Sequence, residues 1–213
     1  MTNLAAVRDR IAASSKLARR SSADVTLVAV SKTRPAEQIA PLIAAGQRDF
    51  GENRVQEAAA KWPALRAPHP DIRLHMIGQL QSNKAAEAVA LFDTIHSLDR
   101  KSLLDALSEA ATKAGRFPAC FVQVNVGEET QKGGVAIAGL GSFLDAVRAS
   151  PLPLAGLMCI PPADLEPAPF FAFLNELARR HDAVGLSMGM SADYEIAVKL
   201  GATCVRVGSA LFD

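Results

Sequence analysis

The sequence is short of several things, and each shortage excludes a class of protein. Cysteine is scarce: Cys120, Cys159 and Cys204 are the only three in 213 residues. They are odd in number and far apart, and each lies in an apolar stretch ("ACFVQVNV", "LAGLMCI", "TCVRVG"). Buried free thiols are therefore expected, and a disulfide framework is not. Histidine is also scarce, and His69, His75, His96 and His181 show no paired ligand spacing, which argues against a zinc site. Charge of one sign is lacking too. A formal net charge of +1 gives no electrostatic reason to expect nucleic acid or an anionic membrane as partner. No apolar run is long enough for a membrane span; one of the longest runs from Pro151 to Ala163. The opening "MTNLAAVRDRIAASSKLARR" lacks the apolar core of a signal peptide, and Leu4, Val7, Ile11 and Leu17 suggest one face of a helix instead. A soluble, cytoplasmic protein is expected.

Two nucleotide signatures are missing as well. Gly139-Leu140-Gly141 has no third glycine at the dinucleotide spacing, and no GxxxxGK[ST] phosphate loop occurs.

What is present is a recurring apolar run of strand length. These runs are Thr26–Ser31, Asp49–Glu52, Leu74–Gly78, Thr94–Leu98, Cys120–Val126, Leu154–Ile160, Gly185–Met190 and Cys204–Gly208. Most are near-continuous rather than alternating, as in parallel strands covered by helices. Helix-like segments lie between them: Arg54–Lys61, Ser82–Ala90, Arg100–Ala114, Phe143–Ala149, Pro169–Arg180 and Asp193–Leu200. Gly46, Gly115 and Gly201 stand where helices should stop, and Pro41 should kink the helix after the first strand. The pattern predicts an α/β fold, a single (β/α)8 TIM barrel over residues 1–213, with an open doubly wound sheet as the alternative. The chain ends too soon for a full helix after strand eight, and an extra N-terminal helix is expected to fill that gap.

A barrel of this kind carries its chemistry at the C-terminal ends of its strands. Strand one ends in Ser31-Lys32. Lys32 reads as a snorkelling rim lysine or as an amine in a partly desolvated mouth, where a lowered pKa would let it form a Schiff base with an aldehyde. "SMGMSADYE" reads as a strand entering a helix with Ser191 at its N-cap, and "RVGSA" brings backbone close to a ligand at Gly208 with a hydroxyl at Ser209. Together these make an aldehyde-reactive amine and a phosphate cradle on one rim, which pyridoxal 5′-phosphate would satisfy. Arg206 could then face the pyridine nitrogen, where a donor-only group disfavours ring protonation. Lys132, in "EETQKGG", reads as a solvated loop residue or a second amine near the site.

The motifs "AVSKT", "FGENRVQE", "HMIGQLQSNK", "QVN…EETQKGG", "GLMCIPP" and "LSMGMSADYEIAVKLGATCVRVGSALF" follow one another in this order. In this the chain resembles the pyridoxal phosphate homeostasis proteins, also called the proline synthase co-transcribed homologue family, from about Val28 to Phe212. Departures are small: Leu74 stands where the family usually has an aromatic residue, and Ser209 where it has threonine. The resemblance implies a barrel similar to the N-terminal domain of alanine racemase. It places the Schiff base on Lys32, phosphate contacts at Ser191, Gly208 and Ser209, Arg206 at the ring nitrogen, Asn53 beside the ring, and Ser187 in the site wall. It implies a monomer that holds the cofactor without turnover, with apo pyridoxal-phosphate enzymes as candidate recipients. Two other functions remain open. An amino-acid racemase needs a base on each face of its substrate; Tyr194 is the one tyrosine, and the chain has no room for a second domain. An aldolase-type Schiff-base barrel would use the lysine but leaves the two anion segments without a joint task.

Overall fold

A computed structural model describes residues 3–212, so residues 1, 2 and 213 of the expected domain lie outside the described residues. Eight parallel strands close into a barrel in chain order, β1 pairing with β2 and so on until β8 pairs with β1. This excludes the open sheet. The strands are β1 Thr26–Val30, β2 Asp49–Glu52, β3 Arg73–Met76, β4 Thr94–Leu98, β5 Ala119–Gln123, β6 Leu154–Met158, β7 Gly185–Ser187 and β8 Cys204–Val207. The helices are α1 Leu4–Leu17, α2 Ala36–Ala44, α3 Val55–Arg66, α4 Ala85–Leu91, α5 Lys101–Ala114, α6 Leu140–Arg148, α7 Pro167–Arg180, α8 Tyr194–Lys199 and α9 Ser209–Phe212.

Six strands, β1, β3, β5, β6, β7 and β8, end one to three residues sooner than their apolar runs. β5 stops at Gln123, β6 at Met158 and β7 at Ser187. Of the residues beyond them, Val124, Asn125, Ile160 and Met190 line the barrel mouth, and Ile160 and Met190 stay exposed there. Pro41 and Pro63 are carried inside α2 and α3, so neither ends its helix. Gly115 caps α5 in the left-handed region (φ 63°), which a residue without Cβ adopts at little cost.

The barrel closes with α9 only four residues long. α1 packs against α8 and α9, and the Asn3 N–H donates to the Leu211 carbonyl at 3.3 Å. The N-terminal helix thus takes the place of a full eighth helix. Among the described residues no helix is long and apolar enough to cross a membrane.

There are two apolar cores. The larger lies between strands and helices, and outward strand residues such as Leu74, Met76 and Ile95 belong to it. A small one lies inside the barrel: Val28, Phe121, Met158 and Cys204. Their apolar side chains share the barrel interior with buried polar ones, His75, His96, Ser187 and Arg206 among them. All three thiols are free and buried, and burial pushes each up to about 12, which keeps them protonated and inert.

Candidate functional site

One cavity of about 880 Å³ opens at the C-terminal ends of the strands. Six of the seven residues singled out in the sequence line it: Lys32, Asn53, Ser191, Arg206, Gly208 and Ser209. Ser187 does not. It is fully buried one layer below, bonded to Arg206 and His96.

Lys32 follows β1 directly and projects into the mouth. Its side chain is exposed, so the partly desolvated amine expected from the sequence is corrected. The apolar run before it is buried against the barrel, but the mouth itself is walled by polar residues such as Asn53, Gln79 and Asn125. The turn that carries Lys32 is held from below. Thr33 sits at φ 60°, a conformation that costs a β-branched residue about 1–3 kcal/mol. The Lys61 ammonium on α3 braces both sides of that turn, donating to the carbonyls of Ser31 (2.9 Å) and Arg34 (3.2 Å). Its third partner is the Glu52 carboxylate at 2.6 Å. Glu52 ends β2 with no exposure and also accepts from Trp62 Nε1 (2.9 Å) and Ser31 Oγ (2.7 Å). Sequence reading missed this brace. Glu52 was visible at a strand end and Lys61 at the end of the helical segment Arg54–Lys61, but nothing in the sequence joined the two.

Asn53 enters the cavity wall just after β2. Gly78 explains why it stays there: a Cβ on that residue would lie 2.3 Å from the Asn53 carbonyl oxygen. Only glycine lets the two strand ends approach so closely.

Arg206 lies on β8 and is only 4% exposed. It donates to Ser187 Oγ (2.5 Å) and to the Cys159 carbonyl (3.0 Å), which leaves further N–H groups for the cavity. Among the described residues no carboxylate forms an ion pair with it. Burial pushes its pKa down, although a guanidinium still keeps its charge at any ordinary pH. A buried cation without a carboxylate is costly, so a ligand acceptor in the cavity would relieve it.

Ser191 was expected to cap the helix after strand seven. The structure corrects this. α8 begins at Tyr194 with Asp193 at its N-cap, and Asp193 Oδ1 takes the Met190 N–H at 2.6 Å. Six residues make under two turns, too little helix for a useful dipole. Ser191 Oγ faces β8 instead and accepts from the N–H groups of Gly208 (3.0 Å) and Ala210 (3.5 Å). With its lone pairs engaged, its own proton points outward. Ser191 and the exposed Ser209 therefore present hydroxyl donors on one wall of the cavity. Facing them, the loop after β5 is tied by Asn125, whose side chain brackets Glu129 (2.9 and 3.2 Å). Lys132 lines the cavity but is paired with Glu129 at 2.7 Å.

Below this floor runs a second feature that sequence reading missed. Asp49 Oδ1 meets His75 Nε2 at 2.9 Å, His75 Nδ1 meets His96 Nε2 at 3.0 Å, and His96 Nδ1 meets Ser187 Oγ at 2.7 Å. The signal was two histidines inside runs read as core strands. The rings point at each other, and among the described residues no group of three or more His, Cys, Asp or Glu side chains could hold a metal ion. Burial pushes the Asp49 carboxyl upward, but hydrogen bonds from His75 and Arg73 outweigh this and hold it below its ordinary value. Burial, helped by His75 and Arg206, pushes His96 well below the usual imidazole range.

Residues 2–213 match the family model described as the N-terminal domain of alanine racemase. The chain is 44% identical to the pyridoxal phosphate homeostasis protein of Pseudomonas aeruginosa, over 99% of this chain and 93% of that one. The chain belongs to the pyridoxal phosphate homeostasis protein family. Within that family, PipY of Synechococcus elongatus, in its structure with PLP bound, is 42% identical with a TM-score of 0.81, covering 89% of this chain and 93% of that one. An alanine racemase of Clostridium difficile has a TM-score of 0.70 at 14% identity, covering 95% of this chain and 55% of that one, a likeness of fold alone.

Proposed function

We propose that this chain binds pyridoxal 5′-phosphate and holds it on Lys32, as part of the intracellular homeostasis of that cofactor. The observation that carries this reading is the pairing, in one cavity, of an amine with no hydrogen-bond or ion-pair partner among the described residues and a buried arginine that has no carboxylate. The donor set fits the group. When bound, the cofactor supplies an aldehyde that condenses with a lysine amine, with loss of water. Lys32 is the amine that points into the mouth. Ser191 and Ser209 offer hydroxyl donors for the phosphate, and Gly208, its N–H held by Ser191, offers close approach. Arg206 donates to the ring nitrogen and, having no acceptor, keeps that nitrogen unprotonated. Asn53 flanks the ring. Two relatives support this by name: a pyridoxal phosphate homeostasis protein and a family structure with PLP bound.

The reading is of a carrier. A racemase needs a second acid–base group opposite the lysine. Tyr194, the one tyrosine, is buried beside α1 and does not line the cavity. Three free thiols fit a reducing cytoplasm. In this reading the protein acts as a monomer and apo pyridoxal-phosphate enzymes receive the cofactor.

Titration of the cofactor-free protein with pyridoxal phosphate, followed by its visible absorption, tests the assignment. Arg206→Ala is expected to weaken retention about 10- to 100-fold, the worth of a hydrogen bond to a charged group. Lys132→Ala should change it less than about threefold, since that amine is held by Glu129. Equal retention in the two variants would remove Arg206 from the ring.

A further inference from the structure

The buried chain Asp49–His75–His96–Ser187–Arg206 has two ends of fixed character. Arg206 can only donate a hydrogen bond, and the Asp49 carboxylate can only accept. Arg73 already supplies a permanent cation to the other Asp49 oxygen at 2.7 Å, so His75 need not be charged to pair with it. Between fixed ends, one proton per link allows one direction. Arg206 donates to Ser187, Ser187 to His96 Nδ1, His96 Nε2–H to His75 Nδ1, and His75 Nε2–H to Asp49. The opposite direction needs one more proton. It would place a further buried cation between Arg73 and Arg206. It would also leave the Ser187 proton with only the weak acceptor sulfur of Cys204.

We infer that His96 is a positioning residue for Arg206: it is neutral, carries its proton on Nε2, and takes the Ser187 hydroxyl proton at Nδ1 so that the Ser187 lone pairs face the guanidinium. His75 relays the same constraint from Asp49. His96 has no exposure, and its ring stacks on Phe121 with centroids 4.7 Å apart, which fixes the ring plane. Complete burial, the largest cause of its lowered basicity, by itself favours a neutral ring. The effect on the cofactor follows from geometry. An anchored Arg206 presents its remaining N–H groups into the cavity in one orientation. With Ser187 free to turn its proton toward the guanidinium, that orientation is lost.

The test has two arms, and only the second rests on the cofactor reading above. In the first, nitrogen NMR of the cofactor-free protein at neutral pH reads the tautomers directly. Both His75 and His96 are expected to show a protonated Nε2 and a bare Nδ1. An imidazolium at either ring, or a proton on His96 Nδ1, overturns the inference whether or not the protein binds pyridoxal phosphate. In the second, His96→Asn is compared with His96→Leu. The asparagine oxygen can stand in for Nδ1 as acceptor; leucine cannot. Leucine is expected to weaken pyridoxal phosphate binding by about tenfold relative to asparagine. It should also alter the visible band of the bound cofactor. A merely structural role predicts that both variants lose binding only in step with their melting temperatures, with the visible band of the bound cofactor unchanged. Equal or tighter binding by His96→Leu, with melting temperature measured alongside, would refute the positioning role. If wild type fails to bind at all, the carrier reading falls and the tautomer arm still decides this one.

Discussion

Borohydride reduction of protein loaded with pyridoxal phosphate is expected to leave the cofactor on one peptide, the one that carries Lys32. Mass spectrometry of the digest reads it. Lys32→Ala should reduce that adduct to background, while the hydroxyl and arginine donors of the cavity keep a weaker, non-covalent site. The reason is placement. Among the described residues Lys32 is the cavity amine without a partner, whereas Lys132 is paired at 2.7 Å with Glu129. An adduct found on another peptide in the wild-type protein would move the covalent site and with it the role of the first strand.

The second large effect is on stability. Lys61→Met removes the ammonium that pairs with the fully buried Glu52. Stripping one partner from a buried pair costs about 3–5 kcal/mol, because the remaining charge has no counterion. Glu52 Oε2 has no hydrogen-bond partner among the described residues, so nothing at that atom offsets the loss at Oε1. In a domain of this size each kcal/mol shifts the midpoint by roughly 2–4 °C, so a fall of about 6–20 °C is expected in a thermal melt. Adding Glu52→Gln should recover much of it, since the stranded charge goes while Trp62 Nε1 and Ser31 Oγ keep an acceptor. It should not restore the brace on the Ser31 and Arg34 carbonyls, so the double variant should be stable yet bind cofactor less well. A melting point within about a degree of wild type for Lys61→Met would show that Glu52 is not relying on that ammonium.

Much of the architecture was legible in the sequence. Eight apolar runs of strand length, separated by helical segments, point to a barrel over an open sheet, and the strand ends name Lys32 and Arg206, while Asn53 comes from the family resemblance. Three things were not legible, each for its own reason. Ser191 and Asp193 are both good cap residues two positions apart, and local sequence does not decide between them; tertiary contact with β8 drew Ser191 away. The apolar run ahead of Lys32 says that the strand is buried, not that its last side chain is, and the mouth proved open. The histidine chain joins residues 26 and 21 positions apart. Strands of a barrel place every second residue inward, so His75 and His96 inside predicted core strands were a readable hint of polar interior contacts. Their partners were not readable, because register between strands is a tertiary property.

The exposure of Lys32 has a kinetic corollary. With its amine in contact with water, an open mouth would not need a moving cover for ligand to enter or leave. If the proposed site holds its cofactor on Lys32, that cofactor would exchange with the free pool by mass action, and its residence time would be set by the bonds it makes rather than by a gate. Such a site would work as a buffer: its occupancy would track the surrounding concentration, and an amine on another molecule could reach the carbon bonded to Lys32.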